Sequence, residues 1–263
     1  MKQTFAGALP PVAKRQLQWF ATYVRFYLGR NFHGLHLLRL ADLDQVAGYP
    51  LLVCLNHPSW WDPLIGLCLS QRFFQARQQY APIALAGLAK YRFFERLGFF
   101  GIDTGTRAGA IRFLRIGQTV LRHPNGALWV TPQGDFTDVR RRPLRIEPGI
   151  GHLAHRLERF AMLPLTLEYA FWNERFAEAF ACFGAPILVN NGRERVPSEW
   201  NQRFAAALEA TQDVLAERVQ RRDPSLFESL IEGAAGVGGT YDLWRACKAR
   251  LQGKRWYPEH GRY

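Results

Sequence analysis

The sequence predicts an α/β fold: a mostly parallel central sheet flanked by helices, preceded by an N-terminal amphipathic helix. Two observations carry this reading. Short apolar runs alternate with helical patterns from about residue 35 to about residue 221, and strands that alternate with helices imply parallel pairing. One of those runs, Leu51–Leu55, is apolar at every position, as suits a strand covered on both faces. The size agrees: 263 residues, 48% of them hydrophobic, suit one large domain and exclude global disorder.

Taken in order, residues 12–30 follow Pro10-Pro11 and read as a helix. Its apolar set, Val12, Leu17, Trp19, Phe20, Tyr23, Val24, Phe26, Tyr27 and Leu28, is wider than a single core-facing stripe, and Lys14, Arg15, Arg25 and Arg30 surround it. Rings flanked by cations are the pattern of a helix lying at headgroup depth. A core helix with snorkelling arginines is the alternative. Strands follow at 35–40 and Leu51–Leu55, then a helix at 63–75, a short strand at 83–86 and a helix at 89–97. A strand at 99–103 leads to a helix at 107–122, which stops before the breaker cluster His123-Pro124-Asn125-Gly126.

The second half reads as a strand at 127–131, a helix at 149–158 and strands at 162–169 and 177–183. Pro197-Ser198-Glu199 opens a helix running to about 221, with Trp200, Phe204, Leu208, Val214, Leu215 and Val219 on one face. A helix at 224–232, a Gly-rich break at 233–239 and a basic amphipathic helix at 240–252 complete the chain. The expected division is a membrane-associating helix at 1–34, an α/β domain at 35–222 and a basic helical extension at 223–263.

A formal charge of +12 draws the chain towards polyanions, either nucleic acid or an anionic lipid surface, and charge alone does not choose between them. The four cysteines, Cys54, Cys68, Cys182 and Cys247, lack metal-ligand spacing and mostly sit in apolar runs, which fits reduced core residues and no zinc site. The first ten residues do not resemble a secretory signal. No run reaches the ~18 apolar residues of a spanning helix, and the best candidate, 17–28, contains Arg25. Peripheral attachment is the expectation.

The most informative segment is residues 51–63, LLVCLNHPSWWDP. A buried strand ends and delivers His57 into a loop, with Asp62 five positions later where a helix begins. Open α/β sheets place their sites at strand ends. Held between Pro58 and Pro63, Asp62 is able to accept the Nδ1 proton of His57. That would fix the tautomer and leave Nε2 as a base, as in a serine hydrolase triad without its serine. A lone histidine is more often simply a satisfied loop residue, so the wider pattern decides.

That pattern, Asn56-His57, four residues, then Asp62, resembles the first motif of the glycerolipid (lysophospholipid) acyltransferase superfamily, in which the His and Asp form the catalytic pair. Leu97-Gly98-Phe99-Phe100-Gly101-Ile102-Asp103 is similar to its second block, Val130-Thr131-Pro132-Gln133-Gly134 to its third, and Met162-Leu163-Pro164-Leu165 to its fourth. Each block alone is weak; the four stand in order over residues 51–165. The resemblance implies a glycerol-phosphate acyltransferase-like fold and a catalytic pair His57 and Asp62. It also implies substrate contacts drawn from Asn56, Asp103, Thr104, Arg107, Pro132, Gln133 and Gly134.

Departures from the pattern bear on the acceptor. Where the family has Glu before the Gly of the third block, this chain has Gln133; where Arg follows, it has Phe136. The Arg after the second-block Asp is replaced by Thr104. In its glycerol-phosphate and lysophosphatidate acyltransferases those arginines are assigned to the acceptor phosphate, so the resemblance, with both absent here, implies a neutral or glycosylated hydroxy-lipid. Against this, Arg107, Arg140, Arg141, Arg142 and Arg145 lie near and either rebuild a phosphate clamp or form a basic face against a bilayer. The N–H of Gly134 is a candidate donor to the reaction's oxyanion, or Gly134 is a plain turn glycine.

The expected reaction is transfer of a fatty-acyl group from an acyl thioester, acyl-CoA or acyl-carrier protein, to a lipid hydroxyl at the cytoplasmic face of a membrane. Neither a metal nor a bound cofactor is implied, and nucleic acid is not an expected partner. Two rivals remain: a hydrolase of acyl esters or thioesters using the same pair, and an inert lipid- or nucleic-acid-binding member.

Overall fold

The computed structural model describes residues 12–233 together with Ala235, Lys248, Arg250 and Leu251. The first ten residues, Cys247 and most of the expected Gly-rich break and basic helix at 240–252 lie outside the described residues. Lys248, Arg250 and Leu251 are helical.

Helix α1 (Lys14–Asn31) leads into strand β1 (Gly34–Arg39). Then come β2 (Leu51–Leu55), α2 (Asp62–Phe73), β3 (Gln78–Ala84), α3 (Leu85–Lys90), β4 (Phe99–Ile102), α4 (Arg107–Arg122) and β5 (Gly126–Val130). The second half holds α5 (Gly149–His155), β6 (Phe160–Ala170), β7 (Glu178–Phe183), β8 (Ile187–Val189), α6 (Pro197–Gln220) and β9 (Glu228–Glu232). The strands form one sheet in the order β4-β3-β5-β2-β6-β7-β1-β9, with β8 paired to β6. From β4 to β6 every neighbour is parallel, whereas β6 meets β7 and β8 antiparallel and β9 runs antiparallel to β1. The fold is the mostly parallel α/β sheet that the alternating pattern predicts.

The period-two alternation of β-strands sorts the core into two layers. Leu51, Val53 and Leu55 of β2 point with Trp129, Leu163, Leu165 and Leu167 into the layer under α1 and α2. Leu52 and Cys54 point with Leu128, Val130, Phe160 and Met162 into the layer under α4, α5 and α6. All five β2 residues are buried, so this strand is central on both faces.

Three expectations are corrected. The strand placed at 83–86 begins at Gln78 and ends at Ala84. Its polar start is hidden from pattern reading because buried Gln79 is satisfied inside, accepting from Trp129 Nε1 (2.6 Å) and donating to the Phe74 carbonyl (2.5 Å). The helix at 89–97 is instead α3 and a separate 3-10 turn at Arg92–Leu97, broken at Tyr91 (φ −128°, ψ 66°). The helix at 224–232 is a 3-10 turn at Pro224–Leu226 followed by β9, which pairs Ile231 with Leu35 and joins the sheet as an edge strand. Five residues of mixed polarity carry little local preference, and a free strand edge on β1 decides their state. Strand β8, only three residues long, was not foreseen.

Helix α1 buries one face and exposes aromatic rings on the other. Leu17, Val24 and Leu28 are buried, while Trp19, Tyr23 and Phe26, roughly half a turn round the helix, are 67%, 47% and 62% exposed. Among the described residues no helix is long and apolar enough to cross a membrane.

Candidate active site

The parallel strands β2 to β6 end at one edge of the sheet, and the expected site residues gather there in part. Beyond Leu55, which pairs with Leu165, Asn56 continues the ladder with its side chain. Its Nδ2 donates to the Leu167 carbonyl (2.9 Å) and its Oδ1 accepts from the Leu167 amide (2.7 Å). Asn56 is 1% exposed and its amide mimics a peptide unit, so it locks the ends of β2 and β6 together. It faces strand β6 rather than open space.

His57 follows. Its backbone is gripped on both sides by the loop after β5: its N–H donates to Gln133 Oε1 (3.0 Å) and its carbonyl accepts from the Thr137 amide (2.9 Å). Its Nδ1 lies 2.7 Å from Asp62 Oδ2. Asp62 opens α2, and its side chain is fully buried. The same Oδ2 accepts from the Ser59 amide (3.0 Å), while Oδ1 accepts from the Tyr169 hydroxyl (2.6 Å). A buried carboxylate needs such donors, and three are supplied. Because a carboxylate only accepts, Nδ1 carries the hydrogen of this contact, and Nε2 is the ring nitrogen left outside it.

An aromatic ring covers the imidazole. Phe136 is 58% exposed and its centroid stands 4.3 Å from that of His57. A further chain of rings approaches the site from α1: Trp19 to Tyr23 (6.3 Å), Tyr23 to Tyr27 (5.8 Å), Tyr27 to Trp61 (5.5 Å), Trp61 to Phe32 (4.9 Å), and Phe32 to Tyr169 (5.7 Å).

Gly134 adopts φ +78°, a left-handed turn conformation that favours glycine. Its N–H is already donated to the Thr131 carbonyl (3.1 Å), so it is not free for an oxyanion. Of the two readings of this residue the turn glycine stands. Pro132 is buried and its carbonyl accepts from the Glu147 amide (2.7 Å), which holds the return of the same loop.

Asp103, Thr104 and Arg107 share the sheet edge with His57 but not its neighbourhood. They are exposed at the end of β4, with β3 and β5 between them and β2. Three strand spacings amount to ~14 Å. The Asp103 carbonyl accepts from Thr106 Oγ1 (2.9 Å), and Thr106 in turn caps α4 through the Gly109 amide.

Two of the nearby arginines are engaged. Arg140 pairs with Asp138 (2.6 Å), whose carboxyl its hydrogen bonds hold well below the usual range, and Arg142 pairs with Asp213 (2.5 Å). Arg141 and Arg145 are exposed. The described cysteines offer no rival nucleophile: Cys54, Cys68 and Cys182 are buried, and burial pushes the Cys182 thiol up to about 12 and the Cys54 thiol higher still. Among the described residues no three His, Cys, Asp or Glu side chains converge to hold a metal ion.

Sequence reasoning missed Ser59, Thr137 and Tyr169. The first two act through backbone amides, which leave no mark on residue type. Tyr169 had a signal: a polar ring at the end of a buried strand, on the same face as Leu165 and Leu167.

No protein-family model matches the chain, and no curated protein matches it by sequence. Among solved structures it is similar to the crystal structure of the 1-acyl-sn-glycerophosphate (LPA) acyltransferase PlsC from Thermotoga maritima. The TM-score is 0.51 and the identity 13%, over 78% of this chain and 79% of that one. At that identity the likeness establishes a common fold.

Proposed function

We propose that this chain is an O-acyltransferase that moves a fatty-acyl group from an acyl thioester, acyl-CoA or acyl-carrier protein, to a hydroxyl of a lipid acceptor at a membrane surface. The observation that carries the reading is the 2.7 Å contact of His57 Nδ1 with buried Asp62 Oδ2 at the edge where the parallel strands end. The shared fold with a lysophosphatidate acyltransferase supports the lipid substrate class.

His57 Nε2 takes the acceptor hydroxyl's proton as its oxygen attacks the thioester carbonyl. Asp62 stabilises the imidazolium so formed. The tetrahedral intermediate collapses with cleavage of the C–S bond, and the imidazolium returns the proton to the leaving thiolate. An ester and a free thiol result, with no acyl-enzyme. General base catalysis of this kind contributes about 10²–10⁴-fold.

The acceptor is a neutral or glycosylated hydroxy-lipid rather than a phosphate-bearing one. Phe136 stands over His57 where an arginine would anchor a phosphate, and Arg140 and Arg142 are paired with Asp138 and Asp213. The enzyme works as a peripheral protein on the cytoplasmic face of the membrane. The outward face of α1, with Trp19, Tyr23 and Phe26 between Lys14, Arg15 and Arg30, meets the lipid.

Thiol release from acyl-CoA, measured with monoacylglycerol, with lysophosphatidate and with no acceptor, tests this directly. Acceptor-dependent release with formation of the new ester is expected, greater with monoacylglycerol and abolished by His57→Ala. Acceptor-independent release would instead mark a hydrolase, and full transfer by His57→Ala would refute the role of the pair.

A further inference from the structure

Asp62 is held through both of its oxygens, and the two holds have different origins. Oδ2, the oxygen that meets His57, also receives the Ser59 amide from within the same loop. Oδ1 receives the hydroxyl of Tyr169, 107 residues further along the chain and on a different strand. The terminal torsion of an aspartate is broad, so one anchored oxygen leaves the carboxylate free to swing. The second anchor removes that freedom.

We propose that Tyr169 is a positioning residue for the His57–Asp62 pair: its hydroxyl fixes the plane of the Asp62 carboxylate and thereby the direction from which Oδ2 meets His57 Nδ1. The inference rests on the reading of His57 as the reaction's base.

Three features of the fold make Tyr169 suited to this. Strand β6 continues beyond its pairing with β2, and the Asn56 amide grips it at Leu167, two residues before Tyr169 on the same face. The height of the phenol relative to His57 is therefore set by the residue that precedes His57. The ring lies against Phe32, 5.7 Å away and 29° from parallel, so packing orients it independently of its hydroxyl. Burial, with the Asp62 carboxylate beside it, holds the phenol's proton well above its ordinary range. The group is thus a lasting donor to Asp62 and not a proton carrier.

Tyr169→Phe keeps the ring and removes only the hydroxyl. With donor and acceptor both saturating, its kcat is expected to fall about tenfold while both KM values stay within about twofold, the mark of an interaction that matters in the transition state. In an Asp62→Asn background the same substitution is expected to cost less than it does in the wild type, because the hydroxyl acts only through the side chain at 62 and part of what it positions, the charge, is already gone. The proton resonance of His57 Nδ1–H gives a readout that needs no turnover: it is expected to move in Tyr169→Phe. A wild-type kcat with an unmoved resonance, or an undiminished further loss in the Asp62→Asn background, would overturn the proposal. Should Tyr169→Phe fail to fold, 3-fluorotyrosine at 169 keeps the packing and strengthens the donor, and an unmoved resonance there overturns it equally. A wild-type protein without acyl transfer, or an active His57→Ala, fails the functional reading instead and leaves the resonance test standing.

Discussion

Replacing Asp62 by Asn changes one charge at the centre of the site and little else. The carboxamide oxygen takes the place of Oδ2 and still accepts from His57 Nδ1 and the Ser59 amide, while its NH₂ group turns to the Tyr169 oxygen. What disappears is the negative charge that, in the proposed mechanism, faces the imidazolium formed during proton transfer. At the observed 2.7 Å, and with an effective dielectric of ~20, that attraction is about 6 kcal/mol. At ~1.4 kcal/mol per decade of rate, it sets a ceiling near 10⁴-fold. Exposure of the His57 side chain, 18%, lets solvent return part of the loss, so a fall in kcat of about 10³-fold is expected. The assay is thiol release under saturating acyl-CoA and acceptor, with a thermal melt alongside to show that the fold persists. A variant that melts as the wild type does and keeps more than about a tenth of its kcat would refute the argument that Asp62 stabilises charge on His57.

Other consequences are checked more simply. Asn56→Ala leaves the buried Leu167 amide and carbonyl unpaired at ~1–3 kcal/mol each. Together that is about 2–6 kcal/mol, and a drop in Tm of roughly 4–24 °C follows at ~2–4 °C per kcal/mol. Phe136→Arg restores a phosphate anchor over His57; the ratio of kcat/KM for lysophosphatidate over monoacylglycerol should rise about tenfold or more, from a charge-assisted bond of ~1.5–3 kcal/mol. Replacing Trp19, Tyr23 and Phe26 together by Ser should weaken sedimentation with anionic vesicles at least about tenfold, since fully burying one such ring contributes ~1.5–3 kcal/mol. Burial raises the Glu168 carboxyl above its ordinary value, so the native state tolerates its ionisation less well than the unfolded chain does. Stability is therefore given up as pH climbs through that raised value, and Glu168→Gln should gain in Tm over the wild type at pH 8 but not at pH 4.

What could be read from the sequence depended on whether the cause of a feature lay nearby in the chain. Strand β2 was legible because central burial makes every residue of Leu51–Leu55 apolar. The approach of Asp62 to His57 was legible because five residues and two prolines confine it. The start of β3 was not, because Gln79 is reconciled with burial by Trp129, fifty residues away. Strand β9 is decided by the open edge of β1, which no local pattern announces. Gln133 has a tie that residue type does not announce: its side-chain oxygen accepts from the His57 amide, seventy-six residues back in the chain. Tyr169 reaches Asp62 only because the strand that carries it is registered against β2.

The loop after β5 separates two demands that many sites load on one residue. Gln133 contributes a side-chain oxygen and residue 137 a backbone N–H to the hold on His57, while the side chain at 136 alone faces outward over the imidazole. At position 137 the tie to His57 runs through the backbone amide, so proline is the residue it excludes. Position 136 is left open to variation, since neither tie to His57 passes through its side chain. On the acyl-transfer reading, the side chain that meets the acceptor and the ties that hold the base are thus separate residues of one loop.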